Sequence, residues 1–120
     1  MIRYSVELTD AAFAAIRDHA RHIAVTDHAP ETAKRWLERV WDAVDSLEHS
    51  PRRAAKAQED AYVAYEVRQL VVGNLLLLFT VDDDQRTVWI LGLRHGHRLP
   101  RPDDLPADLR TLGDAEDSED

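Results

Sequence analysis

The chain has 120 residues, a mass of 13.7 kDa and a formal net charge of −8 at pH 7, which is the size of one globular domain. It contains no cysteine, which excludes disulfide frameworks, thiolate nucleophiles and cysteine-ligated zinc. Its 44% of hydrophobic residues make it too apolar for a disordered chain, and its longest apolar stretch, around Leu75 to Phe79, is far below the roughly 18 residues of a membrane span.

Ile2 to Leu8 alternates apolar and polar residues, the pattern of a half-buried strand. The charged, alternating start Met1-Ile2-Arg3-Tyr4-Ser5-Val6-Glu7 does not read as a signal peptide, so a cytoplasmic protein is expected. Thr9-Asp10 supplies an N-cap and a first-turn acid. The helix that follows sets Phe13, Ile16, Ala20 and Ile23 on one stripe. Asp27-His28-Ala29-Pro30 breaks it, and Pro30 suits the first turn of a second helix. Ala33, Leu37, Val40, Val44 and Leu47 recur at helical spacing until Ser50-Pro51 ends the run. A short break between two such helices implies an antiparallel helical hairpin.

Arg52 to Asp60 is a polar connector. Three strands are expected after it: Tyr62 to Val72, Leu75 to Val81 and Thr87 to Arg94, the first two joined by a Gly73-Asn74 turn. The order predicts one α+β domain: an N-terminal strand, a helical hairpin, then a three-stranded antiparallel meander, forming one sheet packed on the helices. This domain is expected over residues 1–102. Residues 103–120 hold eight acids and one base and read as an acidic tail. A short helix over Leu105–Leu112 is compatible with its leucines, and disorder is expected beyond Gly113.

Side-chain parity can be carried through the turns. A two-residue turn pairs Val72 with Leu75 and sets Arg68 opposite Phe79; an even-numbered loop then sets Phe79 opposite Val88. One face would carry Val63, Tyr65, Val67, Leu76, Leu78, Trp89, Leu91 and Leu93, and is expected to be the helix-covered core. The other would carry Glu66, Arg68, Phe79, Val88, Ile90 and Arg94. Leu75, Leu77, Phe79, Val88 and Ile90 would then form an apolar patch on an open face, the expected partner-binding surface.

The end of the last strand reads Leu93-Arg94-His95-Gly96-His97-Arg98. Arginines and histidines in this order suit phosphate binding and proton transfer near neutral pH; a solvated strand end is the plainer reading. His19, His22 and His28 are read as a solvated helix face rather than a metal site, and Trp36 and Trp41 as helix-to-sheet packing. No metal and no cofactor is expected.

Taken together, the chain from Ile2 to about Pro100 resembles the RelE/ParE superfamily of type II toxin–antitoxin toxins. The carriers are the opening strand ending Leu8-Thr9, Ala33-Lys34-Arg35-Trp36-Leu37, Ser50-Pro51-Arg52-Arg53, Glu66-Val67-Arg68-Gln69-Leu70, Leu78-Phe79-Thr80-Val81-Asp82 and Leu93-Arg94-His95-Gly96-His97-Arg98. The resemblance implies a toxin neutralised by a cognate antitoxin, in a heterotetramer or higher assembly. It implies a target of either translating ribosomes and their mRNA or DNA gyrase; a non-toxic, partner-binding member is a third reading. In the nuclease branch it would make Arg68, Arg94, His95 and His97 catalytic in a metal-independent cleavage, with Arg52, Arg53, Lys56 and Arg98 binding RNA. In the simple register Arg94 lies opposite Gly73, roughly 16 Å along the strands from Arg68. Unless a bulge shifts the register, that separation lets the two arginines hold neighbouring phosphates but hardly one, and a body near neutral outside the acidic tail is a poor electrostatic match to ribosomal RNA.

Overall fold

A computed structural model describes residues 2–109 and Leu112. Strand β1 (Ser5–Leu8) leads into helix α1 (Asp10–Arg21). The Thr9 hydroxyl accepts from the Ala12 amide at 3.1 Å, satisfying one of the helix's free donors. α1 buries Ala12, Ile16 and Ala20, a line at four-residue spacing whose alanines let the helix approach the sheet closely. Phe13, expected on the apolar stripe, sits one position off that line and is exposed. A π-helical turn, His22–Thr26, follows. Helix α2 (Pro30–Ser46) then opens on its proline and buries Ala33, Trp36, Val40 and Val44.

Strands β2 (Arg68–Val72), β3 (Leu75–Asp82) and β4 (Thr87–His95) complete a sheet of order β1-β4-β3-β2. β1 runs parallel to β4; the other pairs are antiparallel. The strand expected from Tyr62 begins only at Arg68, because Gln58–Tyr62 is a 3-10 helix. Asp60 is the reason: its Oδ1 accepts from the Val67 amide at 2.8 Å. The two-residue turn at Gly73-Asn74 forms as expected, pairing Val72 with Leu75.

The expectation for the two faces is overturned. Leu75, Leu77, Phe79, Val88 and Ile90 are each 2% exposed or less and form the main core with Ile16, Trp36, Val40 and Leu47. They are covered by the helices and do not form an open partner-binding patch. The charges that suggested a wet face mislead for two reasons. Arg68 shares that face but lies at the sheet edge, and Arg94 is turned to the other face by a β-bulge.

The opposite face carries a second core of Ala57, Val67, Leu78, Trp89, Leu91 and Leu112, with Val63, Tyr65, Leu76, Leu105 and Leu109 packed on it. The Tyr65 hydroxyl donates to the Pro106 carbonyl at 2.6 Å, tying down the segment that follows β4. Pro102–Asp104 forms a 3-10 turn and Leu105 is extended, so residues 105–109 show no α-helix. Arg110, Thr111 and residues 113–120, including the expected disorder beyond Gly113, lie outside the described residues. The sheet is therefore covered on both faces. No helix among the described residues is long and apolar enough to cross a membrane.

Candidate functional site

The expected site lies at the end of β4, where one irregularity decides the geometry. Phe79 pairs with Ile90 but Leu78 pairs with Gly92, leaving Leu91 as the extra residue of a β-bulge. Such a bulge reverses the alternation beyond it. Leu93 therefore packs toward the helices, and Arg94, opposite Leu76, points to the other face. Glycine inside a strand is the usual sequence sign of a bulge. Gly92 was that sign.

Arg94 is nearly buried, and its guanidinium is fully engaged. Nε and Nη2 donate to Glu59 Oε2 and Oε1 at 2.7 and 3.2 Å, and Nη1 donates to the Arg98 carbonyl at 2.9 Å. Glu59 is 1% exposed. A buried carboxylate needs such a partner, since an uncompensated charge would cost several kcal/mol. Glu59 was not singled out from sequence. In a polar connector, nothing local marks one acid as buried.

Arg68 is engaged as well. Its Nε donates to Glu66 Oε1 at 2.8 Å, and Nη1 donates to the carbonyls of Arg52 and Ala54. The hydrogen bond from Arg68 holds the Glu66 carboxyl below its usual range, helped by the charges of Arg52 and Lys56. Arg52 forms a two-pronged pair with Asp83 at 3.0 and 2.8 Å; those bonds, with the Tyr4 hydroxyl, lower the Asp83 carboxyl. Arg53 donates to the carbonyls of Ser46, His49 and Ser50, capping the free end of α2. Of the expected RNA-binding residues, Arg53, Lys56 and Arg98 are exposed with no ion pair among the described residues, and Arg53 is held by those carbonyls.

Arg68 pairs with Phe79 and Arg94 with Leu76. The partners differ by an odd number of positions, so the two arginines leave the sheet on opposite faces. The structure brings the arginines closer along the strands than the simple register does, but puts the sheet between them. They do not converge on one phosphate.

A histidine cluster does converge. The His95 ring lies 5.9 Å from His19 on α1 and 5.5 Å from His97, and His19 lies 4.6 Å from Trp36. His19 is thus not on a solvated helix face. Burial pushes its imidazole below the ordinary value, His95 and His22 push the same way, and Asp27 opposes them. His95 Nδ1 is shielded and makes no hydrogen bond among the described residues. Beside the cluster a cleft of about 270 Å³ runs between α1, β4 and the segment after it, lined by Ala11, Ala15, Arg94, His95, Arg98 and Leu105 among others. Among the described residues, no three side chains are placed to hold a metal ion.

Residues 6–100 match the family model described as the ParE toxin of the type II toxin–antitoxin system, parDE. The chain belongs to this ParE toxin family. The match spans α1 to the histidine cluster. Similar folds include a chain of the chromosomal ParDE toxin–antitoxin system from P. aeruginosa, 21% identical with a TM-score of 0.63, covering 79% of this chain and 98% of that one. They also include a chain of the RelBE2 toxin–antitoxin complex from Mycobacterium tuberculosis, 23% identical with a TM-score of 0.52, covering 79% and 93%. At these identities the structural likeness shows the fold of the ParE-family chain alone. No curated protein matches it by sequence.

Proposed function

We propose that this ParE-family toxin inhibits growth by binding its target rather than by cleaving RNA, that the target is DNA gyrase, and that a cognate antitoxin neutralises it in the cytoplasm. The observation that carries the reading is the placement of Arg68 and Arg94. They emerge on opposite faces, and each is already held by protein acceptors. Phosphodiester cleavage needs cations gathered around one developing charge, and these two are not available for that. The structural neighbours come from toxin–antitoxin systems, which supports a protein antitoxin as partner.

Induced expression with parallel readouts of mRNA integrity and gyrase supercoiling tests this reading. Blocked supercoiling with intact mRNA is the expected outcome. Cleaved mRNA that depends on His95 or His97 would replace it with the nuclease reading, for which the imidazole pair 5.5 Å apart is the specific support. Growth inhibition should be relieved by co-expressing the antitoxin, which should co-purify with the toxin.

A further inference from the structure

Three imidazoles and one indole meet where α1, α2 and β4 converge. The His19 ring lies 4.6 Å from Trp36 on α2, tilted by 51°, and 5.9 Å from His95 at the end of β4, edge-on. His97 stands 5.5 Å from His95. Beyond His19 the chain soon leaves its regular helix. The π-helical turn His22–Thr26 buries no residue and leaves Val25 exposed; this form is rare and marks irregular points in helices. His28, two residues further on, holds a φ of 53°, a left-handed conformation uncommon for a residue other than glycine. The tip of the helical hairpin is held by the Asp27 amide on the His22 carbonyl and the Ala29 amide on the Ile23 carbonyl, both at 3.1 Å. Ile23 anchors it: half-buried, it packs on the main core and lines a cavity of about 270 Å³ with Thr32, Arg35, Trp36 and Arg39. A segment with so little buried surface opens locally at low cost.

We propose that protonation of His19 loosens the last turn of α1 from Trp36 and His95 and frees the hairpin tip, residues 22–29, so that acidification uncovers Trp36 and the cavity beside it. Burial against Trp36 strips water from the His19 ring, which disfavours its charged form. His95 and His22 repel that charge, and Asp27 alone of these neighbours favours it. The other charged groups nearby are already answered. Asp18 on α1 pairs with Arg17, and Arg94 on β4 with Glu59. Arg35 and Arg39, on either side of Trp36 in α2, share that helix with Glu31, Glu38 and Asp42. Arg21, His97 and Arg98 add no negative charge. The neutral ring therefore fits the closed arrangement, and an open state in which it reaches water takes the proton more readily. Opening gains on closure as pH falls from about 6.5 toward the pKa of the held ring. One contact works the other way: a protonated His22 attracts Asp27, 3.8 Å away. That pair is 59% and 55% exposed, and so contributes little. The device lies in the fold itself and holds for either target considered above.

Native-state amide exchange of the full chain, followed by NMR at about pH 7.5 and 5.5 and corrected for intrinsic rates, tests it. The amides of Asp27 and Ala29 report on the tip, and that of Phe79 on the core. At both pH values the tip amides should exchange faster than Phe79 and without response to low concentrations of urea, the mark of a local opening. Their protection should fall by up to about ten-fold at the lower pH, the ratio expected when a histidine of ordinary pKa is protonated only in the open state. His19→Gln should remove the fall, and His22→Gln should keep it. The His19 ring, followed through its own Cε1–H resonance in the unaltered protein, should titrate below about 6.5, a readout that needs no variant to fold. Protection that does not change with pH, a fall that survives His19→Gln or vanishes in His22→Gln, or a His19 midpoint at or above that value would overturn the proposal. Tip amides that share the rate and urea response of Phe79 would overturn it too, since the opening would then be global.

Discussion

Arg94 and Glu59 form a two-pronged ion pair under the second face of the sheet, with contacts of 2.7 and 3.2 Å. The pair links β4 to the 3-10 helix Gln58–Tyr62 and, through the Arg98 carbonyl, to the turn that carries His97. Removing one partner leaves the other charged and buried. Arg94→Ala and Glu59→Ala should each cost about 3–5 kcal/mol, read as a lower midpoint in urea. Replacing both with apolar residues, as Glu59→Leu with Arg94→Met, should be less damaging than either single change. If Arg94→Ala leaves stability intact, the guanidinium is not structural and its site role reopens.

Phe79 gives the sharpest check on which face is the core. It is fully buried against the helices, so Phe79→Ala should cost about 3–5 kcal/mol. Val71, exposed on β2, should tolerate alanine within about 0.5 kcal/mol. Phe79→Asp should unfold the chain, and a folded, soluble Phe79→Asp protein would contradict the burial.

Gly73 adopts φ of 64° in the β2–β3 turn. This left-handed conformation costs an L-residue about 1–2 kcal/mol, and an added Cβ would also press on Arg39. Gly73→Ala should lower stability by about that amount, whereas Gly73→Asn, which tolerates the conformation better, should lose less. Chemical denaturation of the two variants separates strain from simple loss of a glycine.

Stability should fall as the solution is acidified through the histidine range. The His19 pKa is lowered in the folded protein from an ordinary 6.5, so below about pH 6.5 the unfolded chain binds the proton more readily. The stabilisation is present above that pH and is lost as pH falls toward the folded value. His19→Gln should flatten this slope in urea titrations at successive pH values. Glu66, also lowered in the fold, adds a second decline further into the acid range, below the usual glutamate pKa; Glu66→Gln should remove that one and leave the first.

Much of this fold is written in local pattern. The Thr9 cap, the Pro30 start of α2, the Gly73-Asn74 turn and the apolar run of β3 act over a few residues, through hydrogen bonds and dihedral preferences that neighbours alone determine. The order of elements follows from them, and with it the resemblance that the match to the ParE toxin family over residues 6–100 narrows. The basic residues at the end of β4 were visible too, but not what they touch. One bulge at Leu91 reversed Leu93 and Arg94, and alternation cannot be carried through an insertion of one residue. The pairing of Arg94 with Glu59, the placement of His19 between Trp36 and His95, and the burial of Phe79 each join residues from separate elements. Only packing chooses among the acids, rings and faces on offer, because desolvation of a charge or a phenyl ring depends on everything that surrounds it.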